Sequence, residues 1–446
     1  MKRFLIFCMC CAIVALFSSE PADAQGLPLI RDAEIEDTIR RMSTPLFQAA
    51  GLSPSSVRIH IVADKSLNAF VADGQRMFMH TGLLMRAENA GQVIGVIAHE
   101  TGHISGGHLS RFGRAGQQGT ATTVIATILG AATALGTGRP DVGAAVIAGG
   151  GQIAQRNFFS FTRSQEGSAD QAALSFLDST SQSARGLLEF MGILENQELL
   201  ITNNQDPYIR THPLSSDRIQ AIEAHIARSP NSNAQTSPEM ELRFKRTKAK
   251  LIGFFEQPAL TFRIYPETDQ SIPARFARAY AYSKVPDKDN ALSTLDSLLA
   301  DVPNDPYFLE LKAQVLFESG DVAAAKEAFA QAVSIVPNEA LIRFEYARAL
   351  IASNEQSDLE LALEQLNFAL SREPRFASGW RNLGIAHGRL GDTGRSSLAL
   401  AEEALLNGDL SAANYHAGRA VELFPRGSRE WLQAEDLLLA AKNTKK

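Results

Sequence analysis

The chain has 446 residues, of which 45% are hydrophobic and 21% are charged, and its formal net charge at pH 7 is -6. This composition is ordinary for a folded soluble protein, and the length predicts two or three domains. Such mild acidity excludes a charge-based case for nucleic acid or anionic lipid as a partner.

Residues 1–24 have the three parts of a secretory signal peptide. Two basic residues open the segment, an apolar run follows over residues 4–17, and small residues flank the acidic one at residues 22–24. The apolar run is too short for a good membrane span. We expect cleavage near Ala24, with the mature chain beginning near Gln25; a retained signal anchor is the alternative.

Cysteine usage agrees with export. All three cysteines of the chain lie inside the predicted signal peptide: Cys8, Cys10 and Cys11. The mature protein is therefore predicted to form no disulfide and to offer no thiolate for catalysis or metal binding. A cysteine-free exported protein suits an oxidising compartment such as a bacterial periplasm, which is the predicted location.

Residues 25–228 are predicted to form the first domain. An amphipathic helix is expected over residues 30–50, where apolar residues recur at helical spacing. A strand follows at residues 57–62, and two shorter strands at 68–72 and 77–80 are separated by an Asp-Gly turn signal. A small sheet therefore precedes the next helix, which begins with an apolar run.

Residues 119–151 are rich in Ala, Gly and Thr, and a central Arg-Pro-Asp sequence divides them into two arms. Small residues pack well without being strongly lipophilic, so a tightly packed helical hairpin is predicted. Two alternatives stay open, a hairpin that opens to admit substrate and a peripheral contact with a membrane surface. A transmembrane hairpin is less favoured because the second arm is short.

A polar, proline-bracketed linker is predicted at residues 229–239, followed by a second domain over residues 240–446. Prolines recur there at intervals of 34, 37 and 51 positions, at Pro303, Pro337, Pro374 and Pro425. The first interval is the length of a tetratricopeptide unit, and the last is too short for two units, so one helix is shared or missing. About four stacked units are predicted, and such repeats bind peptides or proteins.

The chemistry is predicted to lie in the His-Glu-Thr-Gly-His motif at residues 99–103. On a helix, His99 and His103 lie on one face, so that both imidazoles can reach one zinc ion. Glu100 would then lie beside a coordinated water, whose pKa zinc lowers, and could take its proton. The motif alone also fits two surface histidines on a helix.

A catalytic zinc site needs a third protein ligand and an open position. Glu166, on a predicted helix downstream, can supply that ligand, and Asp170 one turn later can fix the tautomer of a ligand histidine. Spacing alone leaves Glu166 equally compatible with a solvated charge. The three-histidine alternative fails because it requires a histidine at the position of Leu109, and His108 comes one residue early. His108 is therefore predicted to be structural or near the site.

At this point the chain resembles the HtpX and CAAX-prenyl-protease type of zinc metallopeptidase. With a signal peptide in front and repeats behind, it is most similar to the BepA-like periplasmic peptidases, and the resemblance covers nearly the whole mature chain. The matching motifs are Asn68-Ala69-Phe70, Thr81-Gly82-Leu83-Leu84, His99-Glu100-Thr101-Gly102-His103 and Glu166-Gly167-Ser168-Ala169-Asp170.

The resemblance implies one zinc ion per chain, bound by His99, His103 and Glu166. It also implies that Glu100 is the catalytic base and that Asp170 supports a ligand. The predicted fold is mainly α: a zincin-like helical peptidase domain with a small β-sheet, followed by an α-solenoid of tetratricopeptide repeats.

His212 matches the family's His-Pro segment. It could stabilise the oxyanion of the reaction as a catalytic residue. In BepA-like members this histidine can instead occupy the fourth zinc position and hold the enzyme latent. A helix-entry histidine without a zinc contact is the third possibility, and sequence does not choose among them. Arg218 is expected to orient a nearby carboxylate.

Asn68, Ala69 and Phe70 lie on a predicted strand just before the motif helix. As an edge strand, this segment could pair with an extended substrate backbone, which gives sequence-tolerant peptide binding.

The resemblance implies a periplasmic endopeptidase that degrades misfolded or stalled envelope proteins and assists outer-membrane protein assembly. Its repeats would hold a client protein or the assembly machinery. The alternative is a non-proteolytic periplasmic chaperone or adaptor whose metal site is plugged or vestigial.

Overall fold

The computed structural model describes residues 27–72, 74–108, 163–198, 208, 212–285 and 287–443. The predicted signal peptide and residues 119–151 lie outside the described residues, so both predictions stay untested. In the described part, no helix is long and apolar enough to cross a bilayer. That part is mostly helical, with one small sheet near its beginning and stacked helices after it, which confirms the predicted fold class.

The sheet has four strands in the order β1-β2-β4-β3. They are β1 (Leu29–Ile30), β2 (Arg58–Val62), β3 (Ala69–Ala72) and β4 (Arg76–His80). β3 and β4 form the expected antiparallel hairpin, whereas β2 and β4 run parallel. β3 therefore lies at an edge of the sheet. Alternate residues such as Ile61, Met77 and Met79 point into the core of the first domain.

Six helices surround the sheet in the described part of the first domain. They are α1 (Ala33–Ala49), α2 (Thr81–Arg86), α3 (Ala90–Ser105), α4 (residues 163–179), α5 (Arg185–Glu198) and α6 (Ser216–Ile226). α1 begins at the N-cap Asp32, whose side chain accepts a hydrogen bond from the backbone N–H of Ile35.

α3 is the central helix of this domain and is buried along almost its whole length. The side chain of Asn89 caps it by accepting a hydrogen bond from the N–H of Gln92. At Gly102, a Cβ atom would lie only 2.6 Å from the carbonyl oxygen of Ala169 on α4. This glycine therefore allows α3 and α4 to approach closely, which brings together the two helices that carry the predicted ligands.

The second region is a series of stacked helices. They are α7 (Pro238–Phe255), α8 (Pro258–Ile264), α9 (Ile272–Lys284), α10 (Lys288–Asp301), α11 (Pro306–Glu318), α12 (Val322–Ile335), α13 (Ala340–Ser353), α14 (Gln356–Arg372), α15 (Ala377–Arg389), α16 (Thr393–Leu406), α17 (Leu410–Leu423) and α18 (Arg429–Asn443). Buried alanines such as Ala279, Ala332 and Ala347 let neighbouring helices approach.

The repeat is visible in the turns between paired helices. Gly320 adopts a φ of 83°, and the following Asp321 caps α12 by accepting from the N–H of Ala324. Gly-Asp pairs precede α16 and α17 in the same way. Only α15, α16 and α17 lie between Pro374 and Pro425 in the structure, one helix fewer than two complete pairs need.

α7 joins the two regions. Its Phe244 and Leu251 belong to the hydrophobic core of the first domain, while the same helix packs along α9. Buried ion pairs reinforce this junction: Arg246 lies 2.7 Å from Glu34 on α1 and 2.5 Å from Asp305. The first domain and the beginning of the solenoid are therefore packed together rather than joined only by a flexible tether.

Candidate metal centre

Four buried side chains converge on one point in the first domain. His99 and His103 come from α3, Glu166 from α4, and His212 from the segment just before α6. One donor atom of each lies within 4.8 Å of the donor atoms of the others. All four are less than a tenth exposed. The structure thus brings together the three ligands expected from sequence and adds His212 to them.

The separations between these donor atoms fit a tetrahedral zinc site. His99 Nε2 lies 3.1 Å from His103 Nε2, 3.3 Å from His212 Nδ1 and 3.3 Å from Glu166 Oε2. His103 Nε2 lies 3.4 Å from Glu166 Oε1, and His212 Nδ1 lies 3.1 Å from Glu166 Oε2. Ligands about 2.0–2.1 Å from a tetrahedral zinc are separated by about 3.3 Å. Three imidazoles and one carboxylate are also donors that zinc accepts.

The contact of His99 Nδ1 with Asp170 orients the ring so that Nε2 faces this point. His99 Nδ1 lies 2.9 Å from Asp170 Oδ1. Asp170 also accepts hydrogen bonds from Arg218, from Nε at 2.6 Å and from Nη2 at 2.9 Å. Burial alone would raise the pKa of Asp170, but these bonds outweigh it and lower that pKa. The ionised carboxylate can only accept, so His99 Nδ1 carries the proton.

The electrostatics of the centre favour a positive charge beside His99 Nε2. Burial lowers the pKa of His99, but hydrogen bonds to Asp170 and Glu166 raise it overall to about 10. Burial likewise acts to raise the pKa of Glu166, whereas His212 and His99 lower it overall. The carboxylates of Asp170 and Glu166 that stabilise a proton on His99 would also stabilise a metal cation at the same place. This supports the fit of the donor set to zinc.

Glu100 lies beside the four donors and is fully buried. Neither carboxylate oxygen has a hydrogen-bond partner among the described residues, and His212 Nε2 lies 3.5 Å from one of them. Burial raises the pKa of Glu100, partly opposed by His212 and His99. A buried carboxylate with unused acceptor capacity can take up a proton from a molecule that enters the site.

His212 is held in place by its neighbours. Its backbone N–H donates to the carbonyl of Tyr208 at 2.7 Å, and the two rings lie with centroids 4.5 Å apart. Arg218 Nη1 donates to the carbonyl of Pro213 at 2.8 Å. Arg218 therefore anchors both Asp170 and the segment that carries His212, a dual role beyond the expected contact with one carboxylate.

His108 has a contact that the sequence motif did not reveal. Its Nδ1 lies 3.0 Å from Nδ1 of His103, and the ring is buried. Gly107 has a φ of 60° and turns the chain just after α3, so that His108 folds back onto the helix. At Gly106 a Cβ atom would lie 2.4 Å from His108 Nε2. The two glycines after the motif were the only sequence signal for this contact.

The expected substrate strand lies at the sheet edge, as predicted for an edge strand. Ala69 and Phe70 belong to β3, and Asn68 precedes it, with its carbonyl accepting from the N–H of His80 at 3.0 Å. Phe70 stacks on Phe78 of β4 with ring centroids 4.9 Å apart. None of these three residues belongs to the cluster of donor atoms.

Comparison with known proteins gives a consistent result. Residues 30–226 match peptidase family M48. A Yersinia pestis protein named beta-barrel assembly-enhancing protease is 23% identical over 393 residues, covering 86% of this chain and 79% of that protein. The Escherichia coli protein of the same name is 24% identical over 401 residues, covering 88% and 77%.

Among solved structures, the chain is similar to MamA at 18% identity and a TM-score of 0.30, covering 37% of this chain and 94% of that one. This TM-score is too low to bear on the fold. The family match spans the sheet, α3, α4 and α6, and so includes every donor of the centre. The first domain, at residues 30–226, is therefore similar to peptidase family M48.

Proposed function

We propose that the chain is a periplasmic zinc-dependent endopeptidase that degrades misfolded or stalled envelope proteins and assists outer-membrane protein assembly. The observation that carries this proposal is the convergence of His99, His103, Glu166 and His212 on one buried point, with the unpartnered carboxylate of Glu100 beside it. The names of the two relatives support the assembly role, and the predicted signal peptide supports the location.

The metal would be held by Nε2 of His99, Nε2 of His103, the carboxylate of Glu166 and, in this conformation, Nδ1 of His212. When bound, zinc supplies the Lewis acidity that peptide hydrolysis needs. Asp170 keeps the proton on His99 Nδ1, and Arg218 keeps Asp170 ionised and in position.

Glu100 is proposed as the general base and acid. Its oxygens have free acceptor capacity, and its raised pKa brings it closer to the working pH than an exposed glutamate. One oxygen would accept a proton from the attacking water and later donate it to the leaving amine. No other carboxylate among the described residues lies beside the four donors with both oxygens unpartnered.

His212 would hold the resting enzyme in an inactive state by filling the fourth position of the metal site. Four protein donors complete a tetrahedron, whereas a catalytic zinc site keeps one position open. The observed arrangement therefore supports the latent form, in which His212 must leave the donor set before a substrate carbonyl can enter. Once displaced, His212 Nε2, now 3.5 Å from Glu100, would be free to hydrogen-bond the substrate.

The same closed donor set favours a second candidate function, a chaperone or adaptor with a permanently plugged metal site. It differs from the first only in whether His212 ever leaves. The edge position of β3 in the sheet order favours the peptidase, because an edge strand can pair its backbone with an extended substrate.

The test is cleavage of casein by the purified mature chain, measured together with bound zinc. The proposal expects about one zinc per chain in the wild type, in Glu100→Gln and in His212→Ala. Glu100→Gln should cleave no casein, and His212→Ala should cleave faster than the wild type if His212 holds the latent state. Zinc binding without cleavage in any form, including His212→Ala with an unfolded outer-membrane protein as substrate, would favour the chaperone.

A further inference from the structure

A cavity lies between the first domain and the solenoid. Its volume is about 310 Å³, at the small end of the range for ligand pockets. The junction of β1 and α1 forms one wall, and α7 forms another. The remaining lining residues come from α9, α11, α13 and the turn before α15, whereas α10, α12 and α14 contribute none. The cavity is therefore on the face formed by the first helix of each pair.

Successive repeats present equivalent positions to this cavity. Tyr280 on α9 and Gln314 on α11 are 34 positions apart, the length of one unit, and both line it. A surface built from equivalent positions of stacked helices continues from one unit to the next, which suits an extended chain better than a compact ligand. Aromatic rings contribute much of the lining, and Phe254 at the end of α7 is 53% exposed.

The cations in the cavity wall are already neutralised. Arg31 lies 2.7 Å from Glu36 and 3.2 Å from Glu373. Lys250 lies 2.7 Å from Asp32 and 3.5 Å from Glu34. Each cation therefore contacts two carboxylates, which leaves no positive charge to attract an anionic ligand.

One carboxyl group in the wall lacks a partner among the described residues. Glu310 on α11 lines the cavity, and its buried Oε2 has no hydrogen-bond partner among the described residues. Burial raises the pKa of Glu310 to about 8, a rise that Lys250 opposes and that Asp32 reinforces. The other glutamate of the wall, Glu345, is already paired with Arg348 at 2.6 Å. A buried carboxylate without a partner is costly unless a ligand supplies one.

We propose that this cavity binds an extended segment of a client polypeptide, with a lysine or arginine side chain against Glu310 and a neighbouring apolar side chain against Phe254 and Phe344. The inference rests on the proposed function in that it assigns a client to the repeats. It does not depend on hydrolysis, because no residue of the metal centre lines the cavity.

The test uses the full mature chain carrying Glu100→Gln, so that no probe is cleaved. The probe is a fluorescein-labelled octapeptide of alternating valine and serine with Lys-Phe at its centre, and its partner peptide has norleucine in place of lysine. Binding is measured by fluorescence anisotropy at pH 7. Glu310→Gln is compared with Glu327→Gln, the same substitution at an exposed glutamate on α12.

We expect Glu310→Gln to bind the lysine peptide about tenfold more weakly than Glu327→Gln does, because a charge-assisted hydrogen bond is lost. The norleucine peptide should bind both variants equally. Phe254→Ala, at an exposed position where folding is not at risk, should weaken both peptides alike.

The proposal is overturned if neither peptide binds the Glu327→Gln protein, if both bind it equally, or if Glu310→Gln leaves the preference for lysine intact. Failure of the proposed function would show separately, as a wild-type chain that cleaves no casein while the lysine preference persists.

Discussion

The metal centre and the junction between the domains both bury charged side chains, but they balance that charge differently. At the junction, Arg246 contacts Glu34 and Asp305, and Lys250 contacts Asp32 and Glu34, so that every cation has two anions of the same chain. At the centre, nitrogen atoms of three imidazoles and the carboxylate of Glu166 lie close together, with separations such as 3.1 Å from His99 Nε2 to His103 Nε2 and 3.4 Å from His103 Nε2 to Glu166 Oε1.

No arginine or lysine side chain lies between the four donors of the centre among the described residues. Arg218 is the one guanidinium among the described residues of the centre, and it contacts Asp170 and Glu166 from outside the ring of donors. The cations of the junction are therefore paired within the chain, whereas the donor set of the centre could hold a cation from solution. The buried charges of the junction stabilise the packing of the two regions, whereas those of the centre are arranged to bind a metal ion.

The largest expected effect is on the junction. Arg246→Met leaves Glu34 and Asp305 buried without their shared partner and should destabilise the metal-free protein by about 3–5 kcal/mol. Arg243→Met, one turn earlier on α7, removes partly exposed pairs with Asp37 and Glu239 and should cost less than about 1 kcal/mol. Urea unfolding followed by circular dichroism measures both. Equal losses in the two variants would mean that the junction is not held by its buried pairs.

The next effect is on zinc affinity. Asp170→Asn can no longer fix the proton on His99 Nδ1 through an ionised acceptor, so zinc affinity should fall by about 10–100-fold. Competition with a chelator of known affinity measures it. Asp178→Asn is the matched control, because Asp178 also pairs with a histidine, His225 at 3.0 Å, but away from the donors. A loss of affinity in Asp178→Asn of the same size would show that the effect is general instability.

His108→Ala should lower zinc affinity by about tenfold, at the weak end of the range for residues that orient a ligand. The contact between the two Nδ1 atoms of His108 and His103 fixes which nitrogen of His103 faces the donors. His108→Gln, which can still accept a hydrogen bond, should recover part of the affinity. His60→Ala, at a half-buried histidine on the sheet, should leave affinity unchanged. Full zinc affinity in His108→Ala contradicts the positioning role.

The smallest effect concerns the pH dependence of stability. The pKa of Glu310 is raised in the folded protein to about 8 from its ordinary 4.5, so the folded state binds this proton more tightly than the unfolded state does. The associated stability is present below pH 4.5 and is lost as the pH rises toward 8. Glu310→Gln should therefore raise the Tm at pH 8 and leave it unchanged at pH 4. An equal shift at both pH values would exclude titration as the cause.

The residues of the centre that could be predicted from sequence are those whose relative positions follow from their spacing along a helix. His99 and His103 share a helix face because they are four residues apart, and the buried α3 follows from the apolar run before them. Asp170 was placed near a ligand because it lies one turn after Glu166. The fourth donor, His212, came only from resemblance, since 46 residues separate it from Glu166 and only the fold brings them together.

Contacts that depend on tertiary packing were not predictable. α7 was assigned to the repeats because its apolar pattern is that of any amphipathic helix, yet Phe244 and Leu251 also complete the core of the first domain. The pairing of Arg246 with Glu34 joins residues 212 positions apart through this packing. Neither the junction nor the cavity beside it has a local sequence signature.

X-ray absorption spectroscopy at the zinc edge, on the purified mature protein and His212→Ala, tests the central claim most directly. The account predicts one zinc per chain with four nitrogen or oxygen ligands at about 2.0–2.1 Å, three of them imidazoles in the wild type and two in the variant. A chain that retains no zinc, or one with the same number of imidazoles in both proteins, would contradict the proposed latent centre.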